Sequence, residues 1–394
     1  MPLRIVADVR RVRDFGIGTY IRGLLNALAA IDQSDDYILV ALPEDVRVFS
    51  GLPPNFKTTV YRTTDSYYLN HVAFPLFLHR LAPDLVHIPL NRVPLLMMEP
   101  YVVTIHDMAS LLFENRSGIH MDLRRFLLRR GLLRARRIIA VSEATRRDVS
   151  EALGIPEERI SLAYNAPNPE FFRPLRPTDA RAAGPQREQL ERARILERYQ
   201  INYPFLLYAG NIRPQKNIPR LVEAFAVARE QLSRHPVYGD LHLIIIGDEV
   251  SRFPSVRRAV MQTRVERSVR FLGFVPFDTL RVFFESAAAF VFPSLYEGFG
   301  LPPLEAMASG TPVVASNVSA LLEVVGDAAF LVNPENVFEI ARGIQEVLLD
   351  EELRRGLIAK GKTQAARFSW ERTARQVLEV YREVHAAKRD EQKP

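Results

Sequence analysis

Short apolar runs rich in β-branched residues alternate along this chain with stretches in which apolar residues recur every three to four positions. The first pattern predicts strands and the second predicts helices. In the first half the strand-like runs are Leu3–Val9, Tyr37–Leu42, Thr58–Tyr61, Leu85–Ile88, Tyr101–Ile105, Ile138–Val141 and Ile160–Tyr164. In the second half they are Phe205–Ala209, Leu241–Ile246, Val269–Phe271, Ala289–Phe292, Pro312–Ala315 and Ala329–Val332. Most are apolar throughout, as expected of strands covered on both faces, so the pattern predicts parallel sheets flanked by helices. Helices are expected at Thr19–Ala30, at Ile218–Gln231 and from Trp370 to about Lys388, where Val377, Val380, Tyr381 and Val384 mark the apolar side.

The alternation breaks once. Asn165-Ala-Pro-Asn-Pro-Glu leads into Arg173-Pro-Leu-Arg-Pro-Thr-Asp, and proline at that density disfavours both helix and sheet. Gln186–Tyr199 then reads as one polar helix, and Pro204 precedes a new strand. The boundary therefore falls within 166–203, which predicts an α/β domain over residues 1–170, a linker with a polar helix over 171–203, and a second α/β domain over 204–370. A length of 394 residues suits two domains. Ligands of such sheets bind at the C-terminal strand ends, so the cleft between the domains is the expected site.

Composition narrows the chemistry. With no cysteine, the chain has no disulfide scaffold, thiolate metal site or cysteine nucleophile. The start, Met-Pro-Leu-Arg-Ile-Val-Ala-Asp, does not read as a signal peptide, and no apolar run is long enough to span a bilayer, so a cytoplasmic protein is expected. Basic residues exceed acidic ones by 52 to 46, a net charge of +6. That excess matters where it is concentrated.

Four segments hold candidate chemistry. After the first strand, Arg10-Arg-Val-Arg-Asp-Phe-Gly16-Ile-Gly18 leads into a helix. Gly16 and Gly18 would let the backbone approach an anion, and Arg10, Arg11 and Arg13 would add positive charge, so a phosphate is expected here. A dinucleotide fingerprint fits less well, because its third glycine would fall at Ile21; Glu44 or Asp45 would be its ribose-binding acid. The fifth strand ends in His106-Asp107, and an imidazole there can donate to a hydroxyl or phosphate. No Gly-x-Ser-x-Gly elbow accompanies it, so an acyl-transfer triad has no support.

The second domain opens with Gly210-Asn211-Ile-Arg213-Pro-Gln-Lys216-Asn217 before a helix. Arg213 and Lys216 form a pair of cations suited to a diphosphate. Further on, Tyr296-Glu297-Gly298-Phe299-Gly300-Leu301-Pro-Pro-Leu-Glu305 joins a strand end to a helix start. Two carboxylates there could each hold a pair of sugar hydroxyls, with the backbone of Gly298–Leu301 facing the anionic link between the two sugars. For Glu305, placed in the helix's first turn, the alternative is helix capping.

The Glu-x7-Glu spacing within YEGFGLPPLEAMASGTPVV resembles that of the retaining glycosyltransferases of family 4, which have the GT-B fold. The resemblance runs from the glycines near residue 16 to the helix opening Phe368-Ser369-Trp370. It implies two Rossmann-like domains facing across a cleft, with a final helix that crosses back, adding residues 371–394 to the first domain. By resemblance, Gly16 and Gly18 contact the donor diphosphate or sugar, and His106 approaches the transferred sugar. Arg213 and Lys216 neutralise the leaving diphosphate, Glu297 binds hexose hydroxyls and Glu305 the ribose. Asn211, Gly298, Phe299, Gly300 and Leu301 complete the donor site. No metal is implied, and nucleotide-sugar donor and glycan or lipid-linked acceptor are the implied partners. Acceptor contacts are expected in variable loops of the first domain such as Arg62–Leu81, with Tyr67, Tyr68 and His71.

One position departs from the family pattern. Asn211 stands where many members have arginine, and Arg213 follows two residues later. The run G-N-x-R-P-x-K-N looks most like mannosyltransferases of bacterial polysaccharide assembly, which points to GDP-mannose as donor. Another enzyme on this fold, such as a sugar-nucleotide epimerase, and a non-catalytic bilobed sugar-binding protein are the alternatives.

Finally, Leu123–Arg137 reads LRRFLLRRGLLRARR. Helical spacing places Arg130, Arg134 and Arg137 on one stripe and Phe126, Leu127 and Leu133 on an apolar side. Such a helix suits an anionic membrane surface on the inner face of the plasma membrane, or is a solvated basic face. Nothing in the sequence marks a nucleic-acid motif.

Overall fold

The computed structural model describes residues 2–62, 71–94, 96–113, 119–173 and 185–391. They form two compact units, Met1–Ala166 with Ser369–Pro394, and Pro167–Phe368. In the first unit the elements run β1 (Arg4–Asp8), α1 (Ile17–Ile31), β2 (Asp36–Ala41), β3 (Phe56–Val60), α2 (Ala73–Arg80), β4 (Leu85–Ile88) and β5 (Tyr101–Ile105). Then come α3 (Ala109–Leu112), α4 (Ile119–Arg134), β6 (Arg137–Ala140), α5 (Glu143–Leu153) and β7 (Ile160–Leu162). The strands make one parallel sheet in the order β3-β2-β1-β4-β5-β6-β7. Every residue of β4 and β5 is buried, which is why those runs lack polar alternation.

The second unit continues with α6 (Pro185–Arg198), β8 (Phe205–Gly210), α7 (Ile218–Gln231), β9 (His242–Gly247), α8 (Pro254–Thr263), β10 (Val269–Gly273) and α9 (Phe277–Ser286). It closes with β11 (Ala289–Phe292), α10 (Leu301–Ala308), β12 (Val313–Ser316), α11 (Ala320–Val325), β13 (Phe330–Val332), α12 (Val337–Leu349) and α13 (Glu351–Ala366). Its sheet is parallel in the order β10-β9-β8-β11-β12-β13. Every strand-like run in the sequence is a strand, with ends shifted by a residue or two. The proline-rich stretch is partly built into this unit: Phe171 packs edge-on against Phe277 and Phe284, and Arg192 of α6 pairs with Glu285 at 2.6 Å. Residues 174–184 of that stretch lie outside the described residues.

The chain returns to the first unit through α14 (Trp370–Glu391), which runs past Lys388. Val377, Val380, Tyr381 and Val384 are all buried, at roughly 1.5–3 kcal/mol for a large apolar side chain. A polar chain locks the same face. Tyr381 Oη meets His87 Nδ1 at 2.6 Å, His87 Nε2 meets Thr104 Oγ1 at 2.7 Å, and Thr104 Oγ1 meets Tyr20 Oη at 3.0 Å. Burial holds His87 neutral, with its pKa pushed down to about 3. At the other end of α14 the chain's one tryptophan, Trp370, lies on α1 where Gly23 has no side chain.

The arginine-rich helix differs from its expected form. It ends at Arg134, because Arg137 pairs with Val102 as the first residue of β6 and so cannot share a helical stripe with Arg130. Its buried side is Leu128, Gly131 and Leu132, whereas Phe126 is 55% exposed and Leu123 50% exposed. Several arginines staple backbone instead of lining a surface. Arg129 donates to Leu153 O at 2.8 Å and Arg125 to Ala152 O at 3.0 Å, both at the C-terminal end of α5, where cations are favoured. Arg134 donates to Met97 O at 3.0 Å and Arg137 to Glu158 O at 2.6 Å.

A Cβ on residue 23 would stand 2.2 Å from the Trp370 ring, so Gly23→Ala must lift the ring off α1. The expected outcome is a red-shifted tryptophan emission and a loss of about 1–3 kcal/mol of stability, read by fluorescence and denaturant titration. Unchanged emission would show that the ring is not seated on Gly23.

Candidate active site

Both sheets reverse their strand order beside their first strand, between β1 and β4 in one unit and between β8 and β11 in the other. In open parallel sheets such a reversal marks the carboxyl ends where ligands bind. Gly16, His106, Lys216 and Glu297 each follow the carboxyl end of a strand.

In the first unit, Gly16 is the N-cap of α1 at φ 67. Gly18 is fixed by contact, since a Cβ there would lie 2.3 Å from Val12 O. The neighbouring arginines do not form the free positive cradle expected. Arg10 makes a two-pronged bond to buried Asp8, 2.8 Å on each arm, and its guanidinium stacks 3.8 Å above Phe74. Arg13 pairs with buried Asp45 and Arg11 lies 3.8 Å from Asp14. Any anion here meets backbone amides among charges already matched. The pairing also withdraws Asp45 from the ribose-binding role of a dinucleotide site.

His106 sits deeper than its position at a strand end suggests. Its Nε2–H donates to Pro89 O at 3.1 Å, which leaves Nδ1 as an acceptor, and its ring meets Tyr20 edge-on at 4.8 Å. Burial drives its pKa down to about 4, so at neutral pH it is uncharged. It forms no dyad with Asp107, whose Oδ1 instead accepts the Ala109 N–H at 3.0 Å. Imidazole donation to a phosphate is therefore not what this arrangement offers; it offers an acceptor to a hydroxyl. Tyr67 and Tyr68 lie outside the described residues.

In the second unit the two motifs meet. Lys216 Nζ donates to Glu297 Oε1 at 2.5 Å, with side chains only 15% and 9% exposed. Lys216 ends the short turn Pro214–Lys216 after β8, and Glu297 belongs to the loop after β11, the neighbouring strand. Asn217 ties the two loops, its Nδ2 donating to Pro293 O at 3.0 Å and to Pro334 O at 2.7 Å. Leu295 N–H reaches Gln215 O at 2.7 Å. Arg213, in contrast, is exposed, so the two cations expected to act alike occupy different surroundings. Asn211 Oδ1 and Ser294 Oγ, at the ends of these same two strands, are shielded and meet no partner among the described residues.

Beyond Glu297, Phe299 and Leu301 are buried, and Gly300 (φ 109) is the N-cap of α10. Glu305 is the fifth residue of α10, not a first-turn residue, which removes the capping alternative. Its carboxyl is desolvated with nothing to offset the cost, and its pKa rises from 4.5 to about 7. A carboxylate so placed can accept from hydroxyls. Among the described residues no group of three His, Asp or Glu could hold a metal ion.

Comparison with known proteins gives the family and the fold. Residues 16–171 match the model described as Glycosyltransferase Family 4, and residues 192–364 match Glycosyl transferases group 1. The O-antigen chain mannosyltransferase B of Escherichia coli is 32% identical over 72% of this chain and 71% of its own. The chain belongs to glycosyltransferase family 4. A second relative, the serotype-specific mannosyltransferase WbdA of Escherichia coli, is 28% identical over 91% of this chain, which spans 44% of its length. Sucrose-phosphate synthase of Thermosynechococcus elongatus superposes with a TM-score of 0.76 at 21% identity, over 98% of this chain and 100% of that one. Anabaena HepE, solved with UDP and glucose, gives 0.74 at 18% identity, over 97% and 100%. These structures share the GT-B fold.

For this family 4 enzyme, the sequence pattern did not single out Ser294, Ser319 or the bracing role of Asn217. Asn217 adjoins Lys216 within the G-N-x-R-P-x-K-N run, so spacing could have flagged it; the serines carry no pattern.

Glu305 yields a pH prediction. Its folded pKa near 7 exceeds its ordinary value, so folding opposes its ionisation, and that cost grows as pH rises from 4.5 to 7. Glu305→Gln, which cannot ionise, should match the wild type near pH 4.5 and be more stable above pH 7, by at most about 3 kcal/mol. Thermal unfolding across that range tests this; a pH-independent difference would refute the shift.

Proposed function

We propose that this glycosyltransferase moves a hexose, mannose from GDP-mannose, with retention onto a glycan or lipid-linked acceptor in O-antigen or related cell-surface polysaccharide assembly. The observation that carries the reading is the Lys216–Glu297 ion pair at the end of adjacent strands, with the unoffset Glu305 carboxyl on the next helix. The mannosyltransferase names of its relatives support the donor.

A donor nucleotide sugar exchanges this pair for two better-matched contacts. The diphosphate takes Lys216, with Arg213 added from the exposed side of the turn, and the hexose hydroxyls take Glu297. Glu305 accepts from the ribose hydroxyls. The bond between the anomeric carbon and the phosphate oxygen then breaks, and negative charge grows on the diphosphate where Lys216 and Arg213 stand. The acceptor oxygen bonds to the anomeric carbon on the same face, and its proton passes to the departing phosphate oxygen. His106, neutral, accepts from a sugar hydroxyl through Nδ1. In this reading no metal takes part.

The membrane reading rests on a smaller surface than the sequence suggested. Leu123, Phe126 and Arg130 are exposed on α4, an apolar pair beside a cation. No helix among the described residues is long and apolar enough to cross a membrane. Contact with an anionic lipid surface would use this face.

Two outcomes test these proposals. Glu297→Gln should abolish nucleotide release from GDP-mannose. The same change should bind free GDP several-fold more tightly in calorimetry, because it frees Lys216 and removes a repelling carboxylate. Retained turnover would overturn the role given to Glu297, and equal release by the wild type from every nucleotide sugar tried would overturn the donor assignment. Phe126→Ser with Arg130→Gln should abolish low-salt sedimentation with anionic vesicles while leaving GDP release intact; sedimentation equal to that of the wild type would remove α4 from the membrane reading.

A further inference from the structure

The loop that carries Glu297 is shaped from behind by three consecutive residues. Glu297 N–H donates to Ser319 Oγ at 2.9 Å. Ala320 N–H returns a bond to Glu297 O at 3.4 Å. Leu321 Cδ2 fills the space beside Gly300, where a Cβ would stand 2.6 Å away. Ser319–Leu321 thus touches both ends of the Glu297–Gly300 turn.

Ser319 does this from a strained backbone. Its φ of 45° and ψ of −137° lie where a Cβ crowds the chain and glycine is strongly preferred. A glycine would adopt this conformation at lower cost but would have no hydroxyl. Nor is the hydroxyl explained by capping: Ser319 precedes α11 yet makes no side-chain bond to that helix. Strain of this kind persists where surrounding structure enforces it, and it gathers at functional sites. Here its return is one fixed amide, that of Glu297.

We propose that Ser319 is a positioning residue for the transfer reaction, holding the Glu297 backbone so that its carboxylate meets Lys216 when the site is empty and the donor sugar when it is filled. This rests on the role assigned to Glu297 above. Lys216 and Glu305 stand on other elements, so removing Ser319 removes neither nucleotide contact, and a looser Lys216–Glu297 pair would strengthen nucleotide binding, not weaken it. Loss of Ser319 should therefore damage turnover and spare nucleotide affinity, a split that general destabilisation would not produce.

The test uses the full chain with Ser319→Gly and Ser319→Ala beside Glu297→Ala. Both serine variants should lose about tenfold in nucleotide release from GDP-mannose while binding GDP at least as tightly as the wild type. The Glu297 amide should exchange with deuterium at least about tenfold faster in both, a readout that needs no donor. The glycine variant, relieved of strain, should unfold at a higher temperature than the alanine variant. If Ser319→Ala fails to fold, Ser319→Gly alone decides. Turnover and amide exchange at wild-type levels in Ser319→Gly would overturn the proposal, as would a parallel loss of GDP affinity. Retained turnover in Glu297→Ala would instead overturn the reading of the site, and is distinguishable because the exchange result stands apart from it.

Discussion

All strands of each sheet run in one direction, and the placement of every functional group follows from that. A parallel strand cannot return by a hairpin, so each connection crosses back over a face, usually as a helix. The sheet is then covered on both sides, its strands become uniformly apolar, and polar chemistry is expelled to the strand ends. Gly16, His106, Lys216 and Glu297 come from four distant places in the sequence, yet each follows the carboxyl end of a strand. Reversal of strand order beside β1 and β8 marks where, in sheets of this kind, ligands are expected at the strand ends.

Three cations near these ends are matched within the protein. Arg10 is held by Asp8, Arg13 by Asp45 and Lys216 by Glu297. A half-buried lysine or glutamate left alone would bear an unoffset desolvation cost, so pairing stabilises the empty site. The Lys216–Glu297 pair differs from the two arginine pairs in what surrounds it. The shielded Asn211 Oδ1 and Ser294 Oγ, with no partner among the described residues, stand at the ends of the same two strands. Under the proposed reading, a diphosphate and a sugar would have to replace what this pair gives up, which would favour ligands that carry both groups over ligands with only one.

Much of this was legible in the sequence because it depends on local patterning. Continuous apolar runs identify strands, and Gly300 with Pro302 and Pro303 marks the start of α10. The Glu-x7-Glu spacing indicates the site because the loop and first helical turn that span it have fixed lengths. The illegible parts are those where a residue's partner is remote. Arg13 read as charge for a phosphate and the arginines of α4 as a surface stripe, since nothing nearby in sequence announces Asp45 or the carbonyls of α5. His106 read as an accessible acid because depth cannot be seen in a strand-end motif, yet burial decides its charge. The stripe through Arg137 failed for a related reason. Periodicity extended the helix past Arg134, while pairing of β6 with β5 claims Arg137 for the sheet.

The crossing between the units shows how closely local and distant constraints are joined. Phe368, the last residue of the second unit, packs edge-on against Phe299 at 5.6 Å, inside the loop that follows Glu297. Two residues later Trp370 is seated on Gly23 and lies 6.1 Å from Tyr20, whose ring also meets His106. Ser369, between them, starts α14 by accepting the Thr373 N–H through its carbonyl at 3.1 Å. One residue therefore separates a ring packed on Phe299 in the second unit from a ring packed on Gly23 and Tyr20 in the first. The return of the polypeptide is thus fixed at each end by aromatic packing inside the unit to which that end belongs, and the chain between the two anchors has no slack to add.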